Sequence, residues 1–267
     1  MILITGATGT IGREVVRLLA DRDVPFRAMS RGSTGFRADF DDPASLRRAV
    51  DGVDTAFLLT APATATSRHD LALLDAAKAA GVAKVVKLSA IGTGETTPEG
   101  RVIGAWHLEG ERALRASGLA WTILRPSSFA SNVLRFAEDG RLANLTGDGQ
   151  QGVVDPRDVA AVAVEALTAT VHNGRIYTLT GPDLLSVPEQ AAQLSQVLGR
   201  PVDTVEVSPE HLLGSGMDEA AAAEVAAGTA WVRDGHNAIV TDDVERVLGR
   251  PPTGFTAWAG DHAALFG

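Results

Sequence analysis

The sequence predicts an α/β fold, a doubly wound parallel sheet with a smaller C-terminal α/β substrate domain, and three observations carry that expectation. Short apolar runs suited to strands covered on both faces recur along the chain, among them Ile2-Leu3-Ile4, Thr55 to Thr60 and Lys84 to Leu88. Segments of helical periodicity alternate with them, the pattern of a parallel sheet with right-handed crossovers. The first run breaks into a glycine-rich turn, Gly6-Ala7-Thr8-Gly9-Thr10-Ile11-Gly12, that opens a helix carrying Val15, Val16, Leu18 and Leu19.

In that strand-turn-helix setting Gly6 allows the sharp turn, Gly9 lets the backbone approach a pyrophosphate, and Gly12 lets the helix pack closely on the strand. The loop Thr8, Thr10 and Ile11 completes a helix N-terminus that offers N–H groups to an anion. A tight turn that binds nothing has the same glycines, and the strand before and helix after favour a dinucleotide. A P-loop is excluded, because it needs Lys-Ser or Lys-Thr after its last glycine and the first lysine here is Lys78.

With 267 residues the chain is long enough to bury a substantial core as one large domain or a domain with an appendage. It has no cysteine, which removes disulfides, thiolate metal sites and cysteine nucleophiles. The formal charge of -9 argues against a nucleic-acid surface. The first strand starts at Ile2, leaving no room for a leader, and no apolar run approaches the roughly 18 residues of a membrane span, so a cytoplasmic protein without a membrane partner is expected.

Taken in order, the second strand, Val24 to Met29, ends at Ser30-Arg31-Gly32, where a dinucleotide fold carries the acid that reads the ribose. Arg31 stands there instead. A guanidinium pairs with the 2′-phosphate of NADP, so Arg31 predicts NADP(H); a solvated loop arginine is the other reading. Arg37 to Phe40 reads as a third short strand before a helix from Asp42, placing Asp39 and Phe40 beside the adenine or, equally, in a helix lead and the core. Thr55 to Thr60 is the fourth strand, and Thr60, Ala61 and Pro62 are expected to line the crevice. Asp70 to Ala80 is a crossover helix stopped by Gly81. Lys84 to Leu88 is the fifth strand, after which Ser89 points toward a nicotinamide. A helix over Leu108 to Ala116, a sixth strand over Trp121 to Leu124, a looser wall over 126–152, a helix from Pro156 and a seventh strand from Arg175 follow. Beyond Asp183 come a helix (Val187 to Leu198), a strand (Val202 to Val207), an alanine-rich helix near Asp218 to Ala227, and two terminal helices split by Pro251-Pro252.

Five stretches together resemble a family: Gly6 to Gly12, Ser30-Arg31, Thr122-Ile123-Leu124-Arg125-Pro126, Asp155-Pro156-Arg157-Asp158-Val159-Ala160, and Thr241 to Val244 continuing through Leu248-Gly249-Arg250-Pro251-Pro252. They look like the NmrA-like branch of the atypical short-chain dehydrogenases, with type 2 NADPH:quinone oxidoreductases and triphenylmethane reductases as similar members. The resemblance spans nearly the whole chain. It implies a Rossmann-like NADP-binding domain over 1–182, with 126–152 contributing to the substrate cleft, and a substrate-capping domain over 183–267.

It also exposes a departure from ordinary short-chain dehydrogenases, whose Tyr-x-x-x-Lys pair donates a proton. Counted back from Glu111-Arg112-Ala113-Leu114, the lysine place holds His107 and the tyrosine place Ile103; the one tyrosine, Tyr177, lies far along. In the quinone reductases that the chain resembles a histidine also occupies the lysine place, which implies that His107 contacts the nicotinamide ribose or donates a proton. A helix-start histidine satisfied by solvent or backbone is the alternative. Trp106, Phe129 and Phe136 are read as an apolar wall for an aromatic substrate or as core packing, and Asn132 as orienting a substrate oxygen or capping a loop. The remaining histidines share no metal-ligand spacing, so no metal is expected. The function expected is NADPH-dependent reduction of a quinone or other conjugated carbonyl, a small aromatic or quinone-like molecule, with homodimer formation left open. The alternatives are a noncatalytic NADP(H) sensor and a ketoreductase or isomerase.

Overall fold

The computed structural model describes residues 1–32, 34–60, 67–134, 137–138, 140–208 and 219–266. In chain order the nucleotide half comprises β1 (Ile2–Ile4), α1 (Thr10–Asp21), β2 (Phe26–Ser30), β3 (Phe36–Arg37), α2 (Pro43–Val50), β4 (Thr55–Leu58), α3 (Arg68–Ala79), β5 (Lys84–Leu88), α4 (Ala105–Ala116) and β6 (Ala120–Pro126). A 3₁₀ turn (Ala130–Leu134), β7 (Ala137–Glu138), β8 (Arg141–Asn144), β9 (Gln151–Gly152), α5 (Pro156–Thr168), β10 (Arg175–Leu179) and β11 (Leu184–Leu185) come next. The chain continues with α6 (Val187–Leu198), β12 (Asp203–Glu206), α7 (Glu219–Arg233), α8 (Asp243–Leu248) and α9 (Phe255–Asp261).

Seven strands form one parallel sheet in the order β10-β6-β5-β4-β1-β2-β3. Successive β1 side chains alternate between its two faces. Ile2 and Ile4 enter a core with Ile11, Val15 and Leu19 of α1 and Val159, Ala160, Val162 and Ala163 of α5, whereas Leu3 enters a second core with Leu46, Leu73, Leu74 and Leu114. The strand order reverses between β1 and β4, so the carboxyl ends of these two strands frame the crevice in which such sheets take ligands. Thr5 ties that point together. It is fully buried; its hydroxyl lies 2.9 Å from the carbonyls of Phe57 and Leu59 and accepts the Leu59 N–H at 2.8 Å.

The smaller unit is assembled from both sides of residue 182. β12 pairs in parallel with β8, β7 joins β8, and β9 pairs with β11, around a core of Val133, Leu142, Leu194, Phe255 and Trp258. Two of the stretches that carry the resemblance form the clasp between the halves. Asp155 caps α5 by accepting the Arg157 N–H, while buried Asp158 accepts from Arg250 Nη2 and the Thr253 N–H, each at 2.6 Å.

Several boundaries differ from the pattern-based expectation. β3 spans only Phe36–Arg37 rather than reaching Phe40. α4 starts at Ala105, with Gly104 in the left-handed region at φ 58, so Trp106 and His107 lie inside its first turn. α7 runs on to Arg233.

Replacing Thr5 by Val keeps the shape and removes the hydroxyl that the Leu59 N–H bonds to. Urea unfolding is expected to show a loss of about 1–3 kcal/mol; an unchanged midpoint would mean that the β1–β4 junction does not depend on this group.

Candidate active site

The glycine turn is shaped by close approach. Gly6 has φ +61, a conformation that side chains rarely adopt, and a Cβ on it would lie 2.5 Å from Leu59 Cδ2. A Cβ on Gly12 would lie 2.0 Å from the Gly6 carbonyl oxygen. Gly9 caps α1 with extended backbone and no side-chain hydrogen bond, so no side chain competes for the first-turn N–H groups. Thr8, Gly9 and Thr10 are exposed, while Ile11 is buried in the core and supports the turn from beneath. This cradle fits a pyrophosphate: an uncapped N-terminus, no Cβ at the point of approach, and a rigid base.

Arg31 is exposed at the end of β2 and lines a cavity of about 460 Å³ with Arg37, Ala38, Asp39, Asp42, Ser45 and Arg48. The sequence reading missed Arg37 and Arg48. The β2–β3 register pairs Ser30 with Arg37, which brings Arg37 beside Arg31. Asp39 accepts the Asp41 N–H at 3.0 Å, so one of its oxygens shapes the loop. Phe40 is half-buried and stacks on His69, with ring centroids 5.0 Å apart.

At the other end of the crevice lies a buried polar array. Thr60 donates to Asp70 Oδ1 at 2.9 Å, and the other oxygen of Asp70 pairs with Lys87; both charged side chains are fully buried. Gly110 of α4 leaves the room for them, since a Cβ there would lie 2.1 Å from Asp70 Oδ2. Beside this pair, Ser89 donates to Glu111 Oε1 at 2.6 Å, and Arg125 grips Glu111 through Nε and Nη2 at 2.9 and 2.7 Å. The Ser89 hydroxyl is therefore bound to Glu111 rather than standing free. Lys87, Asp70 and Glu111 were also missed; a lysine inside the run Val85-Val86-Lys87-Leu88 was the available signal.

His107 occupies the first turn of α4 and stacks on Trp106, with centroids 3.5 Å apart, and the Lys87 ammonium stands 5.8 Å from the Trp106 ring centre. Burial, then the Lys87 and Arg125 charges, push the imidazole pKa well below its usual value, so the ring is neutral at pH 7. Its Nδ1 is buried and has no hydrogen-bond partner among the described residues. Tyr177 is elsewhere, buried on β10 with its hydroxyl 2.8 Å from His172 Nδ1.

After β6, Phe129 is half-buried against the first core, and Asn132 donates to Ser128 Oγ at 3.2 Å. Ser89 and Ile91 are joined to this strand end, through Ser89 N–H to the Leu124 carbonyl at 2.7 Å and Ile91 N–H to the Pro126 carbonyl at 3.0 Å. Thr60, Ser89, Phe129 and Asn132 thus leave the carboxyl ends of neighbouring strands. Ala61, Pro62 and Phe136 lie outside the described residues. Among the described residues no cluster of acids and histidines could hold a metal, and no helix is long and apolar enough to cross a membrane.

Residues 6–170 match the NAD(P)H-binding family. Among curated proteins the chain is similar to an NAD(P)H azoreductase of Xenophilus azovorans, 38% identical over 100% of this chain and 99% of that protein. It is also similar to the (4-alkanoyl-5-oxo-2,5-dihydrofuran-3-yl)methyl phosphate reductase of Streptomyces griseus, 40% identical over 100% and 99%. Among solved structures, the NADPH-dependent quinone oxidoreductase QOR2 of Escherichia coli, complexed with NADPH, superposes with a TM-score of 0.84 at 25% identity, over 99% of this chain and 100% of that one. The likeness to type 2 quinone oxidoreductases and to NmrA read from the motifs extends through the fold.

Gly110→Ala forces a methyl group into the Asp70–Lys87 pair. Thermal or urea unfolding is expected to show a loss of about 1–3 kcal/mol, whereas wild-type stability would mean that the pair has room to shift.

Proposed function

Starting from the chain's membership of the NAD(P)H-binding family, and from its character as an NAD(P)H-dependent reductase, we propose that it uses NADPH to reduce a quinone or another conjugated carbonyl acceptor without a tyrosine-lysine proton relay. The observation that carries this reading is the neutral, half-buried His107 at the lysine place, its Nδ1 buried, with the only tyrosine engaged on β10. An acceptor that delocalises incoming charge does not need a strong acid at the moment of transfer. The names of the relatives favour such acceptors: an azo compound, an unsaturated lactone and a quinone are all electron-poor conjugated systems.

When bound, the cofactor supplies a hydride from its reduced nicotinamide. The chain binds and orients. Gly6, Gly9 and Gly12 with the α1 N-terminus hold the pyrophosphate; Arg31 and Arg37 pair with the 2′-phosphate; Phe40 and Asp39 border the adenine. Thr60 and the backbone after Ser89 flank the nicotinamide end. His107 presents an uncharged N–H to a ribose hydroxyl or the acceptor oxygen, and water replaces the proton that the product takes up. Trp106, Phe129 and Asn132 border the acceptor.

NADPH oxidation with a panel of quinones tests this reading. Steady turnover is expected; tight NADPH binding with no turnover marks a sensor instead, and turnover of saturated ketones alone marks a ketoreductase. Arg31→Glu and Arg37→Glu should each raise the Kd for NADPH about tenfold or more while leaving NADH nearly unchanged, as expected of charge-assisted bonds worth about 1.5–3 kcal/mol. Equal weakening of both cofactors would remove these residues from 2′-phosphate recognition.

The neutral histidine has a pH consequence. Below about pH 6.5 the unfolded chain binds a proton at His107 that the folded chain refuses, so stability falls as pH drops through and below that value. His172, its pKa lowered by burial and then by Lys84, acts in the same direction. His107→Phe should therefore flatten, though not abolish, the acid loss seen in urea midpoints between pH 7 and 5; an unaltered slope would place a normal, titrating imidazole at position 107.

A further inference from the structure

A further recess, of about 290 Å³, lies in the smaller unit, between α6, β8, the start of β12 and a terminal 3₁₀ turn (Ala263–Phe266). Its lining grades from apolar to charged. Leu142 and Leu194 belong to the buried core of that unit and form the floor; Leu134 and Leu198 are half-buried walls; Arg200 stands exposed at the mouth. None of these residues belongs to the glycine turn, to the Arg31 cavity or to the candidate acceptor wall. The reductase reading therefore leaves the recess without a role.

The arginine is placed by the local chain. Gly199 ends α6 in the left-handed region at φ 65, and Pro201 holds the residue before it extended. The next amide, Val202 N–H, donates to Ser195 Oγ at 2.9 Å and ties the entry of β12 back to α6. Arg200 thus sits on a short, braced bend. Its Nη2 bonds to the Phe266 carbonyl, and its Nη1 lies 3.7 Å from where a Cβ on Gly140 would stand. Among the described residues it has no carboxylate partner, on a chain whose Asp and Glu outnumber Lys and Arg by 33 to 24. Nη1 and Nε are left for an acceptor from outside.

We propose that this recess binds a medium-chain monocarboxylate, its alkyl tail against Leu142 and Leu194 and its carboxylate on Arg200. Leucines that face an open recess lack the packing partners that an alkyl tail supplies. A tail in the floor and a head at the mouth keep the charge in reach of water, so no carboxylate has to be buried unpaired. The planar guanidinium matches a carboxylate in shape as well as in charge. An uncharged alcohol with the same tail fits the walls and forgoes the arginine, and a cationic amphiphile meets the wrong charge. The assignment does not depend on which acceptor the crevice reduces.

The test titrates octanoate into the full chain by calorimetry, with hexanoate, 1-octanol and octyltrimethylammonium as the comparisons. Octanoate is expected to bind saturably, one per chain. Hexanoate, shorter by two methylenes, and 1-octanol should each bind about three- to tenfold more weakly, and the cation not at all. Arg200→Gln should bring octanoate down to the level of 1-octanol and leave 1-octanol unchanged. Leu198→Trp, which fills the recess, should remove both; if that variant does not fold, the Arg200 comparison decides alone, since the arginine side chain is exposed. Saturating NADPH should leave the octanoate isotherm as it was. No saturable binding, equal binding of octanoate and 1-octanol, or an octanoate affinity indifferent to Arg200→Gln would overturn the assignment. Displacement of octanoate by NADPH would place it in the crevice and overturn it as well.

Discussion

The approach of Gly12 to the Gly6 carbonyl is the constraint on which the rest of the molecule depends. With any Cβ at position 12 sitting 2.0 Å from that oxygen, α1 would have to move off the turn and away from β1. The helix would then carry Ile11 and Val15 out of the core that they share with α5, and its N-terminus away from the crevice. Thr5 adds the second half of the constraint by joining the end of β1 to the end of β4. The binding cradle and the topological switch of the sheet are consequently one object, held by backbone approach at Gly12 and by the Thr5 hydroxyl.

Charge is distributed differently at the two ends of the crevice. At the β2 end, Arg31, Arg37 and Arg48 gather around an open cavity on a chain whose overall charge is -9, so the local field runs against the global one. At the β5 end the charges are matched: fully buried Asp70 with fully buried Lys87, and buried Glu111 with half-buried Arg125. Buried pairs of this kind contribute placement more than net stability, because desolvation offsets most of their attraction, and removing one partner costs about 3–5 kcal/mol. The Lys87 and Arg125 charges add to burial in keeping the half-buried His107 neutral. The anion-binding end and the reducing end therefore use the same residue types for opposite purposes.

The sheet was legible because its signals are local. Apolar strand runs, Gly81, and the glycine turn each speak within a few residues, and they mark the seven strands of the main sheet in order, while β7, β8 and β9 stay hidden in the loose stretch 126–152. What was missed is mostly tertiary. Asp70 and Lys87 lie 17 residues apart on different elements, and Arg37 gains meaning only from the register that sets it beside Ser30. β8 is a four-residue strand too short for any period to show, and its pairing with β12, which the sequence does mark over Val202 to Val207, is a long-range contact. The pattern places the start of α4 three residues late, at Leu108, because its cap is Gly104 in a left-handed conformation, with no Ser, Thr, Asp or Asn to announce it. The alanine run of α7 has no apolar stripe, so its true end at Trp231 to Arg233 was hidden in a uniform pattern. Asp155 and Asp158 enter the sequence reading as a helix start and part of a family motif; the hydrogen bonds of Asp158 to Arg250 and Thr253 show that it also joins the two halves of the fold.

The claim that hydride passes directly from the nicotinamide to a conjugated acceptor is tested most directly by following the label. With NADPH deuterated on the transferring face of C4 and an α,β-unsaturated lactone as acceptor, the account predicts one deuterium per turnover at the β carbon of the product and a primary isotope effect on single-turnover reduction. Product that carries no deuterium at carbon, or a labelled cofactor that binds and is never consumed by any conjugated acceptor, would contradict it.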